Sequence, residues 1–263
     1  MSVADAGNTN TVLGLYDGGR LLSRWAVQTT RERTTDEWGL IFKAFFEMAG
    51  HDQRAVTGVS MCSVVPPAVH ALKHGARKYL HQEPLIVGPG IRTGLQLRYD
   101  NPKEIGADRI VNAVAAREKY PGACIIIDFG TATTFDCLSS RGEYLGGIIC
   151  PGIGISLDAL VTRTAKLPKV EIARPPDVIG KTTEHAMQPG IFFGYAAMVD
   201  GLVQKLAPEM EANLTTIATG GLCAVLAGEA TSIVHLEPDL TLEGLRILYE
   251  KNRKPDGIAP RSV

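Results

Sequence analysis

The sequence predicts an α/β protein made of two related lobes that face each other, each containing a mixed sheet. Strand-like runs joined by tight turns are followed by strands that alternate with helical segments, an order typical of such sheets. An Asp-x-Gly unit also occurs twice, as Asp5-Ala6-Gly7-Asn8-Thr9 and as Asp128-Phe129-Gly130-Thr131-Ala132-Thr133. A duplicated unit indicates two similar lobes. We expect their boundary near residues 117–122, with lobes of 1–117 and 118–263.

The strands are predicted from apolar and β-branched runs bounded by turn residues. They cover Thr11–Tyr16, Leu21–Gln28, Val56–Val65, Leu85–Val87, Cys124–Phe129, Thr133–Leu138, Tyr144–Cys150, Thr215–Ala218 and Ser232–Leu236. Asp17-Gly18-Gly19 separates the first two runs, which predicts a hairpin. Ser140-Arg141-Gly142 predicts a second hairpin between two later strands.

Apolar residues recur at helical spacing between the strands. The predicted helices are Trp38–Met48 with a cap at Thr35, Val69–Tyr79 after two prolines, a segment from Gly106-Ala107 through Arg117, Ile191–Leu206, and Leu242–Leu248 opened by Asp239 or Thr241. Along the fourth helix, small residues recur at Gly190, Gly194, Ala197 and Gly201. This stripe allows another helix to approach closely, either within the chain or from a second subunit.

Composition excludes several classes of function. The 263 residues include 27 Lys or Arg and 28 Asp or Glu, so the basic excess of a general nucleic-acid-binding protein is absent. Apolar runs such as Ala123–Ile127 are far shorter than the roughly 18 residues of a membrane span. The first residues show no secretory signal. Five cysteines stand singly, without a C-x-x-C pair, which predicts buried, reduced thiols in a cytoplasmic protein.

Each Asp-x-Gly loop offers groups that suit a phosphate. Glycine permits a tight turn and a close approach of phosphate to the main chain. Asn and Thr side chains can donate to phosphate oxygens, and the Asp can hold a cation or its hydration shell. Either loop alone is better interpreted as an ordinary turn capped by its own Asp. Two loops in matched positions favour a polyphosphate held from both sides.

A second candidate lies within Asn101–Asn112. Gly106-Ala107 permits a tight entry into a helix, which places Asp108 in the first turn, where the helix dipole favours an ionised carboxylate. Such a carboxylate can accept a proton from an alcohol, while Arg109 beside it neutralises an anionic group. The spacing is equally compatible with an Asp108 that only caps the helix and an exposed Arg109.

Two glycine-containing segments complete the candidates. Gly146-Gly147 and Pro151-Gly152 are only superficially similar to a dinucleotide fingerprint, since a third glycine and a following acidic residue are missing. A close approach of the backbone or a turn into a helix is favoured there. Ala218-Thr219-Gly220-Gly221 follows a short strand and opens a helix, which suits the sugar or base of a nucleotide.

Taken together and in this order, the motifs resemble those of type III pantothenate kinases. They are the two Asp-x-Gly loops, Gly106-Ala107-Asp108-Arg109 and Gly146-Gly147-x-x-x-Pro151-Gly152, and the resemblance runs from about Asp5 to Asn252. It implies the fold of the superfamily that includes acetate kinases, sugar kinases and actin, with a nucleotide between two ribonuclease-H-like lobes. It also implies transfer of the ATP γ-phosphoryl group to the primary hydroxyl of pantothenate, which opens coenzyme A synthesis.

The resemblance further implies a role for particular residues. Asp108 matches the general base, and the pantothenate contacts are Tyr99, Gly106, Ala107, Asp108, Arg109 and Thr183. The first phosphate loop comprises Asp5, Ala6, Gly7, Asn8, Thr9, Asn10, Thr11 and Val12, with Asp5 near magnesium. Thr131 matches a contact to ATP phosphate, and Asp128 a ligand of a monovalent cation, potassium or ammonium. Thr183 is expected to act across a homodimer interface, although Thr182 remains an alternative.

Three other functions are weighed against this one. A nucleotide-binding regulator without catalysis is disfavoured because Asp5, Asp108 and Asp128 are all retained. An ATPase or phosphatase that uses water would need no Arg109 beside Asp108. Kinases of other small alcohols are disfavoured by the Gly-Ala-Asp-Arg segment. The kinase interpretation requires the three carboxylates to converge in one cleft.

Overall fold

The computed structural model describes residues 1–253, so the last ten residues of the predicted C-terminal lobe lie outside the described residues. The chain divides into two compact units, Met1–Thr93 together with the chain from Leu242, and Gly94–Thr241. Compared with the predicted lobes, residues 94–117 group with the second unit and the segment from Leu242 with the first. The predicted lobe limits of 1–117 and 118–263 stay a prediction.

The first unit contains one mixed sheet and two helices before the chain leaves it. Its strands are β1 (Ser2–Ala6), β2 (Asn10–Asp17), β3 (Arg20–Gln28), β4 (Val59–Ser63) and β5 (Leu85–Ile86), and its helices are α1 (Thr35–Met48) and α2 (Pro66–Tyr79). The strand order is β3-β2-β1-β4-β5. The first three strands are antiparallel, whereas β1, β4 and β5 are parallel. The predicted hairpin is confirmed at Gly18, whose φ is +52°.

The core of the first unit forms where α1 packs on the sheet. Trp38, Phe42 and Phe46 are buried there, and the ring of Trp25 on β3 stacks on Phe45 with centroids 5.2 Å apart. These positions repeat every three or four residues, which confirms the predicted helix. Its cap lies one residue earlier than predicted, because the Thr34 hydroxyl, not Thr35, accepts the Glu37 N–H in a reciprocal capping box.

The second unit contains the other mixed sheet. Its strands are β6 (Gln96–Leu97), β7 (Ala123–Phe129), β8 (Ala132–Leu138), β9 (Glu143–Pro151), β10 (Leu214–Thr219) and β11 (His235–Leu236). Its helices are α3 (Ala107–Lys119), α4 (Ile153–Thr162), α5 (Thr183–Leu206) and α6 (Cys223–Leu226), and α7 (Leu240–Asn252) begins at its end. The strand order is β11-β10-β7-β8-β9-β6.

The two sheets repeat one topology. In each, three antiparallel strands joined in sequence are continued by two parallel strands on the side of the first strand, with β6 as an addition in the second sheet. Each Asp-x-Gly unit occupies the turn that joins the first strand of its sheet to the second. The duplication expected from those two loops is therefore confirmed.

Strand β7 is buried on both faces, and its side chains alternate between an apolar and a polar side of the sheet. Ile125 and Ile127 belong to a core that includes Phe192 and Val199 of α5. Because side chains alternate along a strand, Asp128 points to the opposite face, where α3 packs. One face of this sheet is thus apolar, whereas the other carries the polar groups that concern function.

Several expectations about composition can be compared with the structure. Four of the five cysteines are buried, as predicted, and Cys150 is half-buried. Helix α5 begins at Thr183, eight residues before the predicted start, and contains Pro189. Within residues 1–253, none of the helices combines the length and the apolar character that crossing a membrane requires.

Candidate active site

The first Asp-x-Gly loop joins β1 to β2. Asp5 is half-buried near the end of β1, and the thiol of Cys62 on the neighbouring β4 donates to its Oδ1 at 3.1 Å. The Gly7 N–H donates to the Asn10 carbonyl at 3.0 Å, which closes a tight turn. The exposed polar residues of this turn are Asn8, Thr9 and Asn10.

Two residues of this predicted loop point into the protein. Ala6 and Thr11 are fully buried, and the Thr11 hydroxyl shares a hydrogen bond of 3.0 Å with Thr29. Their side chains therefore support the turn. Val12 is half-buried on β2. Of the eight predicted residues, those suited to meet a phosphate are in the segment 7–10, whereas the Asp5 carboxylate suits a cation.

The second Asp-x-Gly loop is anchored to the start of α4. Gly130 donates its N–H to Ala132 at 3.1 Å, and Gly152 donates to the Thr131 carbonyl at 3.1 Å. A Cβ at Gly152 would lie only 2.1 Å from that carbonyl oxygen. Only glycine allows this contact, which explains the Pro-Gly pair before α4. The loop leaves Thr131 exposed.

Asp128 lies beside this loop and contacts a polar side chain of α3. Its Oδ2 accepts a hydrogen bond of 2.9 Å from the Asn112 side chain on α3, and Asn112 in turn accepts one of 2.7 Å from Thr241. Gly220 has a φ of +91°, and a Cβ there would lie 2.4 Å from the Asp128 Oδ1. The glycine after β10 thus gives the carboxylate room.

Thr219 adds a further oxygen next to Asp128. It is the register partner of Asp128 across β10 and β7, and it is fully buried. In the described part of the chain, its hydroxyl has no hydrogen-bond partner. A carboxylate together with an unsatisfied hydroxyl is a donor set of the hard oxygen type that alkali and alkaline-earth cations prefer. The residues present therefore fit the cation that the sequence predicts at Asp128.

Asp108 lies in the first turn of α3, as predicted. Its Oδ1 accepts the Arg109 N–H at 2.8 Å, whereas its Oδ2 accepts no hydrogen bond from any other residue between 1 and 253. A Cβ on Gly106 would lie 2.5 Å from Oδ1, so the glycine is required for this arrangement. Burial raises the pKa of Asp108, and this outweighs the Arg109 N–H and charge, which act to lower it. The carboxylate is thus a stronger base than an ordinary Asp.

Arg109 is buried, with 7% of its surface exposed, so the alternative of an exposed Arg109 is wrong. Its Nε donates to Asp136 Oδ1 at 2.7 Å, and the Tyr144 hydroxyl donates to the same oxygen at 2.6 Å. Its Nη2 lies 3.4 Å from the Phe135 carbonyl. Burial raises the pKa of Asp136 to about 6, although Arg109 and Tyr144 both act to lower it. The Nη1 group of Arg109 has no hydrogen-bond partner among the described residues.

Tyr99 and the Gly146-Gly147 pair surround this arginine. The Tyr99 and Tyr144 rings are 6.3 Å apart. A Cβ on Gly147 would lie 1.7 Å from the Phe135 carbonyl oxygen and 3.0 Å from the Arg109 Nη2, while one on Gly146 would lie 3.6 Å from the Tyr99 ring. The close backbone approach predicted at these glycines is confirmed.

Helix α3 connects the two groups of polar residues within the second unit. Asp108 and Asn112 are four residues apart and therefore share one face of the helix. Asn112 contacts Asp128, and Arg109 contacts Asp136. Asp5 belongs to the first unit. The convergence of Asp5 with Asp108 and Asp128 stays a prediction.

Thr183 is the first residue of α5 and is exposed. The Thr182 hydroxyl caps the helix by accepting the His185 N–H at 3.1 Å. Thr183 makes no hydrogen bond to the α3 residues within the described part of the chain. The small-residue stripe on α5 is exposed, and a Cβ on Gly190, Gly194 or Gly201 would meet no atom of residues 1–253 within 4 Å.

The sequence analysis gives no role of their own to three residues of this site: Asn112, Asp136 and Tyr144. It names Thr219 only within a segment suited to the sugar or base of a nucleotide. Asp136 is the one charged residue in the strand Ala132–Leu138, which was a usable signal. Asn112 follows Asp108 at helical spacing, which was a second one. Neither signal identifies the hydrogen-bond partner of Asp136 or of Asn112, because that partner depends on how α3 packs on the sheet.

The chain resembles known proteins along most of its length. Residues 2–205 match the family model described as type III pantothenate kinase. A type III pantothenate kinase of Anaeromyxobacter sp. (strain K) is 50% identical over 249 residues, which is 95% of this chain and 98% of the relative. That of Exiguobacterium sibiricum is 51% identical over 251 residues, covering 95% of this chain and 99% of its own.

A solved structure extends the likeness to the fold. The activator of the 2-hydroxyisocaproyl-CoA dehydratase from Clostridium difficile, with bound ADPNP, has a TM-score of 0.53 at 12% identity, covering 94% of this chain and 92% of the other. A likeness at this identity concerns the fold alone. The predicted fold class, an actin-like ATPase fold with two ribonuclease-H-like lobes and mixed sheets, is confirmed.

Proposed function

Because the chain belongs to the type III pantothenate kinase family and phosphorylates pantothenate with ATP in coenzyme A synthesis, we propose that Asp108 is the general base of this reaction. Arg109 binds the substrate carboxylate. One observation carries the proposal: two consecutive residues at the start of α3 each keep a polar group without a partner in the described chain. These groups are the Asp108 Oδ2 and the Arg109 Nη1.

These two groups match the chemistry of pantothenate, which has a primary hydroxyl and a carboxylate. Asp108 accepts a hydrogen bond from the hydroxyl and orients its oxygen toward the phosphoryl group. Phosphoryl transfer passes through a loose transition state, so alignment and charge neutralisation matter more than a strong base. Asp108 takes the proton late, and its raised pKa makes it a better acceptor. Tyr99, Gly106 and Ala107 complete the pantothenate pocket.

ATP binding is assigned to the two Asp-x-Gly loops. Main-chain N–H groups and the side chains of Asn8, Thr9, Asn10 and Thr131 bind the phosphates, supported by their exposure. Asp5 binds magnesium, which would neutralise the phosphate charge. Asp128 with Thr219 holds potassium or ammonium, supported by the buried Thr219 hydroxyl, which has no hydrogen-bond partner in the described chain.

The enzyme acts as a homodimer in the cytoplasm, with Thr183 of each chain completing the pantothenate site of the other. Three observations support the dimer: the exposed glycines of α5, the exposed Val178 and Ile179 shortly before this helix, and the exposure of Thr183. Because the Thr182 hydroxyl caps the helix, we assign the substrate contact to Thr183. The single cysteines, which are mostly buried, support a reducing compartment.

A coupled assay of ADP release tests these assignments together. Release is measured with and without pantothenate, first in potassium buffer and then in sodium buffer. We expect release that depends on both pantothenate and potassium, and lower turnover for Asp128→Asn with a weaker response to potassium. Release without pantothenate would support the water-using ATPase instead. Equal rates in the two buffers would remove the monovalent cation from Asp128.

A further inference from the structure

We propose that Asp136 and Tyr144 are positioning residues for Arg109 and thereby set the preference of this enzyme for an acceptor that carries a carboxylate. This inference rests on the proposed role of Arg109. Neither residue is expected to touch a substrate, because Asp136 is fully buried and the Tyr144 side chain is also fully buried. They act through the arginine.

The geometry fixes one edge of the guanidinium group. The Asp136 Oδ1 accepts the Arg109 Nε–H at 2.7 Å and the Tyr144 hydroxyl at 2.6 Å, so one oxygen joins both side chains. The Phe135 carbonyl lies 3.4 Å from Nη2. Since the guanidinium is planar, fixing Nε fixes the direction of the remaining donors. Nη1 is thus presented at a set angle with no partner in residues 1–253.

The local backbone reserves space for this arrangement. Gly147 is the register partner of Asp136 across β8 and β9, and a Cβ there would lie 3.0 Å from the Arg109 Nη2. Tyr144 precedes the irregularity in this pairing and belongs to the same strand. The strand therefore supplies both a hydroxyl that orients Asp136 and the gap that the guanidinium occupies.

The charges of Arg109 and Asp136 give this ion pair a function beyond packing. A buried arginine without a counterion is strongly unfavourable, and Asp136 supplies the opposite charge at hydrogen-bonding distance. With one carboxylate already on Nε, the remaining Nη1 group of Arg109 can donate to a second carboxylate in a charge-assisted hydrogen bond. A neutral acceptor would leave this group desolvated and unpaired. Binding of a charged acceptor is therefore favoured over binding of its neutral analogue.

The test compares two acceptors, pantothenate and pantothenol, in which an alcohol replaces the carboxylate. Asp136→Asn keeps the shape and an oxygen for Nε but removes the charge, and Tyr144→Phe removes only the hydroxyl. For Asp136→Asn we expect the KM for pantothenate to rise about tenfold, with the KM for ATP changed less than about twofold. The preference for pantothenate over pantothenol falls by about the same factor. Tyr144→Phe shifts both quantities about threefold in the same direction.

A double-mutant cycle shows whether the effect passes through Arg109. In an Arg109→Gln background, we expect Asp136→Asn to change the KM for pantothenate less than about twofold, because the group it positions is gone. Tyr120→Phe is the matched control, since the Tyr120 hydroxyl also donates to a carboxylate, that of Glu237, within the same unit. This control should keep the wild-type preference between the acceptors.

Three results would overturn the inference. The first is an equal rise of the KM values for pantothenate and for ATP, and the second is an unchanged preference for pantothenate over pantothenol in Asp136→Asn and Tyr144→Phe. The third is that Asp136→Asn raises the KM for pantothenate by the same factor in the Arg109→Gln background as in the wild type. Thermal unfolding is measured for every variant, and if Asp136→Asn does not fold, Tyr144→Phe decides. If Arg109→Gln itself keeps the wild-type KM for pantothenate, the proposed role of Arg109 fails. If Arg109→Gln loses the preference for pantothenate over pantothenol but Asp136→Asn and Tyr144→Phe keep it, only the positioning role of Asp136 and Tyr144 fails.

Discussion

Asp108 is held by its neighbours in a state suited to accept a proton. One carboxylate oxygen is engaged by the Arg109 N–H, and the other accepts no bond from the described residues. We predict that Asp108→Asn keeps the fold and ATP binding but lowers turnover by roughly 10²–10⁴, the usual contribution of a positioned base. ADP release gives the turnover, and calorimetry gives the affinity for ATP.

Asp100→Asn is the control for this substitution, because Asp100 is an exposed residue shortly before α3. It should keep wild-type turnover. Wild-type turnover in Asp108→Asn would remove Asp108 from the role of base. A loss of ATP affinity in parallel with turnover would indicate that the substitution disturbs the site as a whole.

The raised pKa of Asp108 predicts the acidic side of the pH profile. The base must be ionised, so kcat/KM for pantothenate falls as the pH falls through the pKa of Asp108. Because burial raises this pKa, the fall begins at a higher pH than the ordinary Asp value of about 4 implies. Steady-state rates across the acidic range measure this fall in kcat/KM.

Asp136, whose pKa is raised to about 6, is a second candidate for this transition. If Asp108 causes the transition, it should persist in Asp136→Asn. Loss of the transition in that variant would assign it to Asp136.

At the scale of elements, the approach of β9 to β8 limits position 147 to glycine. A Cβ on Gly147 would lie 1.7 Å from the Phe135 carbonyl oxygen, which belongs to the backbone and cannot move without displacing the strand. We predict that Gly147→Ala lowers the free energy of unfolding by about 1–3 kcal/mol. It should also raise the KM for pantothenate, because Arg109 lies beside it. Denaturant unfolding and steady-state kinetics measure the two effects.

Gly154→Ala is the matched control for this prediction. Gly154 lies in α4, and an added Cβ would meet no atom within 4 Å. Because alanine favours a helix by up to about 1 kcal/mol over glycine, this variant should be at least as stable as the wild type. Equal stability of Gly147→Ala and Gly154→Ala would show that β9 has room that the structure does not reveal.

The elements also show what the sequence could predict. The hairpins, the duplicated loops and the helices α1 to α3 have local signals, namely turn residues and apolar periodicity. Strand β6 has two residues, too few for any period. Helix α5 is predicted only over Ile191–Leu206, whereas the observed helix also contains Pro189, a residue that removes a backbone hydrogen bond in a helix interior. Its true start at Thr183 follows the Thr182 cap.

Within the site, the predictable residues are those that belong to one local motif. Asp108 and Arg109 follow from the entry into a helix, and Asp128 from its loop. Asp136 and Tyr144 acquire their roles from the packing of α3 on the face of β8 and from the pairing of β8 with β9. Such long-range pairing produces no regular spacing of residues that could be recognised in the sequence. The burial of Arg109 belongs to the same class, which is why the sequence left its exposure open.

At the scale of the whole molecule, α5 is the element that a second subunit would cover. Its small residues are exposed, and an exposed stripe of glycines along a helix of 24 residues allows two copies to pack closely. In a two-fold dimer, both chains use the same surface. The proposed role of Thr183 requires this dimer to bring Thr183 of each chain to the pantothenate site of its partner.

Mixing two inactive variants tests this arrangement. If Thr183 acts across the interface, a mixed dimer of Asp108→Asn and Thr183→Ala has one site with both changes and one intact site. Random pairing makes half of the dimers mixed, so we expect recovery of about a quarter of wild-type activity at low pantothenate. Co-expression of the two variants yields the random mixture, and Thr183→Ala alone must raise the KM for pantothenate. Mixing Asp108→Asn with Arg109→Gln is the control: each change lies in its own chain's site, so both sites of the mixed dimer are defective and no activity should return. Recovery in the control, or none with Thr183→Ala, would contradict a shared site.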